Sequence, residues 1–219
     1  MADEVTVGPP KRDPRRAKQY GDFGESLVMY LLTGYRDMKV AVVDHAGADL
    51  IASDLDSGAE GAGRYAVSVK SRTLNLQPDG TLESRLIHLT AEHLAHLKEF
   101  GESFGLTPVL ALVMTLPPLP KGDPRIARAE ARTLRDGKKR LWPRAVPVTA
   151  VFMFEVEAAE QALLSPDSVV PKWLSPDIGG GFNFKFSESY FNEILEDPRI
   201  DFAELTINSI GNGALWSGE

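Results

Sequence analysis

The stretch Tyr65-Ala66-Val67-Ser68-Val69-Lys70-Ser71 decides the fold. Its β-branched and small residues alternate as in a strand, so Val67 and Val69 share one face and Ser68 and Lys70 the other. A lysine ending an apolar strand needs solvent or a partner. Asp49, which follows Gly47-Ala48 and opens the strand-like run 49–52, is the natural one. The polar, Gly-rich residues 53–63 read as the hairpin loop joining the two strands, and the apolar run 38–43 as a strand before them.

Working outward, residues 17–33 place Tyr20, Phe23, Leu27, Val28, Leu31 and Leu32 at helical spacing. This helix carries Glu25 beside Gly21 and Gly24. Each helical glycine costs about 1 kcal/mol relative to alanine, so the pair predicts a turn pressed against another backbone. Thr90 caps a second helix, 91–104, with Leu94, Leu97, Phe100 and Phe104 on one side. Strands are expected at 109–114 and 148–156, then a short helix at 158–164. A Pro- and Gly-rich stretch follows, in which Gly179-Gly180-Gly181 reads as a hinge. The chain closes on a strand (182–186), a helix (187–196) and a strand (202–207). Hairpins followed by a helical crossover predict an α/β fold, a mixed central sheet flanked by helices. The expected organisation is a flexible arm (1–16), an α/β domain (17–165) with a basic insertion (121–144), and a small C-terminal extension (166–219) packing on the same domain.

With 219 residues, 43% of them hydrophobic, the chain has material for one core. No apolar run approaches the ~18 residues of a membrane span, and the polar, Pro-rich start is unlike a secretory signal. The absence of cysteine excludes disulfides, zinc thiolates, iron–sulfur clusters and thiol nucleophiles, and fits a cytoplasmic protein. The net charge of −7 argues against general binding to polyanions. Its distribution is uneven. Residues 121–144 hold nine Lys/Arg against three Asp/Glu, and residues 155–219 hold three against twelve. The basic segment is either a local polyanion contact or a solvated face paired with the acidic C-terminal segment. Residues 126–135 suit a helix. Gly137 and Pro143 interrupt the rest, predicting a projecting loop or ribbon near the end of the sheet.

Glu25 on the first helix, Gly47-Ala48-Asp49 on the second strand and Ser68-Val69-Lys70 on the third together resemble the PD-(D/E)XK nuclease superfamily. The closest branches are its restriction-endonuclease-like and Holliday-junction-resolvase-like members. The likeness covers residues 17–156 and includes the order of elements. It implies a restriction-endonuclease-like fold and a metal-dependent endonuclease acting on DNA. Glu25, Asp49 and the Val69 carbonyl would hold Mg²⁺ or Mn²⁺, and Lys70 would assist the attacking water. Arg72, Lys138, Lys139 and Arg140 would meet phosphates, and a homodimer would cut two strands. Ser68 departs from the pattern, which has Glu or Asp there. A neutral hydroxyl is a poor substitute, although Mg²⁺ is often held by only one or two carboxylates with water completing its shell. Two rival readings follow: the same fold as a non-cleaving DNA-binding module, or a protein-interaction domain working through its acidic C-terminal segment.

Taken singly, Asp49 and Lys70 read as a cross-strand ion pair and Glu25 as a solvated helix residue; only the triple points to chemistry. Asp54 and Asp56 read as loop residues. His88, Glu92, His93 and His96 are close in sequence, with Glu92 and His96 at i,i+4 spacing, but match no metal motif, and His93 reads as half-buried packing. No Gly-x-Ser-x-Gly elbow is present.

Overall fold

The computed structural model describes residues 14–54, 63–116, 122–135, 148–164 and 170–206. Helix α1 (Pro14–Tyr35) leads into strands β1 (Lys39–His45), β2 (Ala48–Ser53) and β3 (Arg64–Thr73). After β4 (Arg85–Leu89), helix α2 (Ala91–Phe104) crosses to β5 (Thr107–Thr115). Helix α3 (Pro124–Arg135), strand β6 (Val148–Glu155) and helix α4 (Val156–Leu164) follow. The chain then adds β7 (Leu174–Pro176), β8 (Phe182–Phe186), α5 (Glu188–Glu196) and β9 (Asp201–Thr206).

Six strands form the central sheet in the order β1-β2-β3-β5-β6-β9. Among the described strands only β3 and β5 run parallel, and the helical crossover α2 supplies the connection such a pair needs. The expected mixed sheet flanked by helices is what forms. Alternation sorts the two faces. Val67 and Val69 join Leu27, Val28, Leu31 and Leu32 of α1 in one core, while Ala66, Leu110 and Leu112 join Leu94 and Leu97 of α2 in the other. Ser68 and Lys70 therefore face the α2 side.

Gly24 is closely approached, but by a side chain rather than by backbone: a Cβ there would lie 1.9 Å from Ser71 Oγ. Gly21 is not, since a Cβ would meet nothing within 4 Å. Close approach to backbone is found instead at Gly47 in the β1–β2 turn, at φ +100°. A Cβ there would stand 2.6 Å from the His96 carbonyl carbon and 2.7 Å from the Leu97 nitrogen.

A second sheet, β4-β8-β7, covers the α2 side of the central one. Phe152 and Phe154 of β6 meet Phe184 and Phe186 of β8, with ring centroids 5.7–5.9 Å apart. The Gly179-Gly180-Gly181 run is the β7–β8 turn rather than a hinge: Asp177 N–H donates to the Gly181 carbonyl at 2.9 Å, and Gly180 takes φ +88°. Gly181 is pinned, because a Cβ would fall 1.9 Å from the Leu89 carbonyl oxygen.

Within the basic insertion, α3 is docked rather than projecting. Arg125 donates to the Leu76 carbonyl at 3.2 Å and pairs with Asp123 at 2.6 Å, and Arg128 donates to the Pro78 carbonyl. The Arg125 hydrogen bonds hold Asp123 at a pKa of about 2. Two of the insertion's cations thus clamp the 74–82 loop, against which Ala129 is buried. Lys138, Lys139, Arg140 and Trp142 lie outside the described residues, as does Asp56.

Candidate active site

The β2–β3 ladder ends at Leu50↔Val67, so Val69 lies beyond the paired residues. Its N–H finds a substitute acceptor: Asp49 Oδ2, at 2.6 Å. A backbone donor at the end of a ladder needs such a partner, and a carboxylate supplies a short, charge-assisted one. Ser68 Oγ donates to the same oxygen at 3.2 Å and lies 3.1 Å from His93 Nε2. A hydroxyl has one proton, and a carboxylate is the stronger acceptor. The proton therefore goes to Asp49, and His93 Nε2–H donates to Ser68. The result is a directed chain, His93 to Ser68 to Asp49, that fixes the carboxylate from two sides. Asp49 Oδ1 makes no hydrogen bond among the described residues.

Lys70 shares this face, two residues beyond Ser68. Burial lowers its pKa; the Asp49 carboxylate opposes that shift, the Arg72 guanidinium adds to it, and the Glu25 carboxylate opposes it. Glu25 reaches the group differently from Asp49. Its helix packs on the face opposite Lys70, and its carboxylate raises the Lys70 pKa less than Asp49 does. Arg72 is exposed as a whole residue; partial burial of its guanidinium and then the Arg85 charge lower its pKa. Asp54 is half-buried at the far end of β2, where its N–H donates to the Gly63 carbonyl, apart from this group.

His93 corrects the sequence reading. It is half-buried as expected but not merely packing: its Nε2 lies 3.1 Å from Ser68 Oγ. The signal lay in Thr90, whose hydroxyl caps α2 by accepting from His93 N–H at 3.3 Å. That puts His93 in the first turn, with its side chain leaning back toward the strands. His88 instead lies 3.7 Å from Asp177, on the second sheet.

Burial lowers the His93 pKa, the Lys70 ammonium lowers it further, Asp49 raises it, and His96 lowers it. As pH falls below the ordinary value of 6.5, the unfolded chain takes up a proton that the folded one resists, so stability falls. The denaturant midpoint should therefore drop between pH 7.5 and 5.5, and His93→Gln should flatten that drop. An unchanged slope in the variant would place the acid sensitivity elsewhere.

Ser68 is 1% exposed and filled around by its two partners. Ser68→Glu alone should therefore lose about 1–3 kcal/mol by overpacking against His93. With His93→Ala added, the acid gains room, and divalent-ion affinity measured by calorimetry should rise above that of the native protein.

Among the described residues, no three His, Asp or Glu side chains stand together as a metal cage. The donor set instead fits a largely hydrated divalent ion held through one carboxylate, since Asp49 Oδ2 is committed to Val69 and Ser68 while Oδ1 is not. Val69 enters the site by its amide N–H, as the group that orients Asp49.

No family model and no curated protein matches the chain. Among solved structures it is similar to Hjc, a Holliday junction resolvase from the archaeal hyperthermophile Archaeoglobus fulgidus. Identity is 17%, coverage is 79% of this chain and 93% of that one, and the TM-score is 0.38. No helix among the described residues is long and apolar enough to cross a membrane.

Proposed function

We propose that this chain is a nuclease-fold protein of PD-(D/E)XK type that acts on DNA, cleaving phosphodiester bonds slowly with a weakly held divalent ion. The observation that supports the reading is that Asp49 and Lys70 come from adjacent strands to one face of the sheet, with the carboxylate locked by Val69 and Ser68. Such a locked carboxylate beside a half-buried ammonium is what phosphoryl transfer requires: fixed charges, set before substrate arrives.

Asp49 would hold Mg²⁺ or Mn²⁺ with water completing the shell, and the Glu25 carboxylate would add negative charge that Lys70 senses. The ion, when bound, supplies Lewis-acid stabilisation of charge on the phosphoryl oxygens. Lys70 does the rest from the protein side. Its ammonium meets a non-bridging phosphoryl oxygen or orients the attacking water, and burial strengthens either contact by excluding competing solvent. Ser68 and His93 do not touch substrate; they hold Asp49 in place. Arg72, exposed beyond Lys70, would meet the adjoining backbone.

The second reading, the same fold without cleavage, is favoured by the neutral Ser68 and by the lack of a three-ligand group among the described residues. Titration of Mn²⁺ and Mg²⁺ into native and Asp49→Asn protein separates the two. Weak binding lost in the variant supports the enzyme reading; no binding in either, with salt-sensitive DNA affinity retained, leaves a DNA-binding module.

A further inference from the structure

A cavity of about 840 Å³ opens on the α1 side of the central sheet, away from the candidate active site. Its floor is apolar: Val67, Val109 and Val151 come from three adjacent strands, with Met38 and Met153 beside them. Tyr65, near the start of β3, also lines it. Lys70 lies five residues further on, roughly 16 Å along the strand, and faces the other side. Two arginines reach the cavity, and both are already paired. Arg36 meets Asp201 at 2.5 Å, tying the residue after α1 to the start of β9, and Arg199 meets Asp197 at 2.6 Å. The carboxylates of Asp54 and Glu155, which also line the cavity, have no ion-pair partner among the described residues. The uncompensated charge at this site is therefore negative.

The volume lies within the roughly 300–1,000 Å³ of small-molecule sites. A valine floor accepts a hydrocarbon body. Aromatic rings beside unpaired carboxylates, here Tyr35, Tyr65 and Phe202 with Asp54 and Glu155, favour a cation over a neutral or anionic group. We propose that this cavity binds a small organic cation, an ammonium group carried on an apolar body. The ammonium would sit at the rim with Asp54, Glu155 and the tyrosines, and the hydrocarbon on the floor between α1 and β6. An anion of the same shape would meet two carboxylates there, with both arginines occupied. The site stands on the face opposite Lys70, so it does not rest on the nuclease reading.

The test titrates three probes with one shared chain, octylammonium, 1-octanol and octanoate, into the whole protein at neutral pH. Calorimetry reads affinity, and methyl NMR of the methionines reads location. Octylammonium should bind once per chain, about fivefold tighter than 1-octanol, which is the effect of one part-exposed ion pair. Octanoate should bind most weakly. The Met38 and Met153 methyl signals should move, while Met114, in the core on the α2 side, should not. Asp54→Asn combined with Glu155→Gln should bring octylammonium down to the affinity of the alcohol. Ala203→Phe, which sets a ring into the cavity from β9, should abolish binding of all three probes. If Ala203→Phe fails to fold, the charge variant and the methyl shifts decide. No saturable octylammonium binding, octanoate bound as tightly as octylammonium, an unchanged preference in the charge variant, or equal movement of Met114 overturns the site. Each of these outcomes leaves the Asp49–Lys70 reading standing.

Discussion

Asp49→Asn should lower divalent-dependent DNA cleavage at least about 1,000-fold, roughly 4 kcal/mol of transition-state stabilisation. The fold should survive, because an amide oxygen can still accept the Val69 N–H that the carboxylate now takes at 2.6 Å. The expected stability loss is that of weakening a charge-assisted hydrogen bond, about 1–2 kcal/mol. Lys70 feels the change as well. Asp49 is its strongest opposing charge, so removing it lets burial lower the Lys70 pKa further. A single-turnover assay with matched thermal melts checks this: a large loss of rate with a small loss of stability is the expected pair. Equal losses of both would make Asp49 a structural residue.

Gly47→Ala should be the most damaging single methyl in the molecule's β1–β2 turn. The position has φ +100°, which non-glycine residues adopt at a cost of about 1–3 kcal/mol. The added Cβ would also fall 2.6–2.7 Å from α2 backbone atoms at His96 and Leu97, which have no rotamer to yield. Overpacking adds a comparable amount, for a total of about 3–5 kcal/mol, or on the order of 10 °C in melting temperature. The strain falls on α2, so the 3.1 Å contact of His93 with Ser68 should be lost with it. Differential scanning calorimetry measures the first effect. A melting temperature within about 2 °C of native would mean that the turn shifts freely, contrary to this account.

The parts of the site legible in the sequence were those fixed by short-range pattern. Period-2 alternation in 65–71 placed Ser68 and Lys70 on one face, and Gly47-Ala48 marked the turn that delivers Asp49. Glu25 was legible as a helix residue, but not the face its helix covers. That depends on which side of the sheet α1 packs, and local sequence does not encode it. The missed elements have distant partners. β4 is five residues long and pairs with β8, Arg85 opposite Phe186, so its strand character depends on a segment about a hundred residues away. β7 is three residues ending in Pro176. The triple glycine was misread for the same reason: without its flanking strands, a hairpin turn looks like a hinge.

The most direct test of the Asp49–Lys70 site is nicking of supercoiled plasmid DNA in Mn²⁺ or Mg²⁺ by native and Lys70→Ala protein. The account predicts slow nicking by the native protein, stopped by chelation and absent in Lys70→Ala, with Lys70→Ala still folded and still binding DNA at low salt. Nicking that survives Lys70→Ala, or a native protein that neither nicks nor binds DNA at low salt, would contradict it.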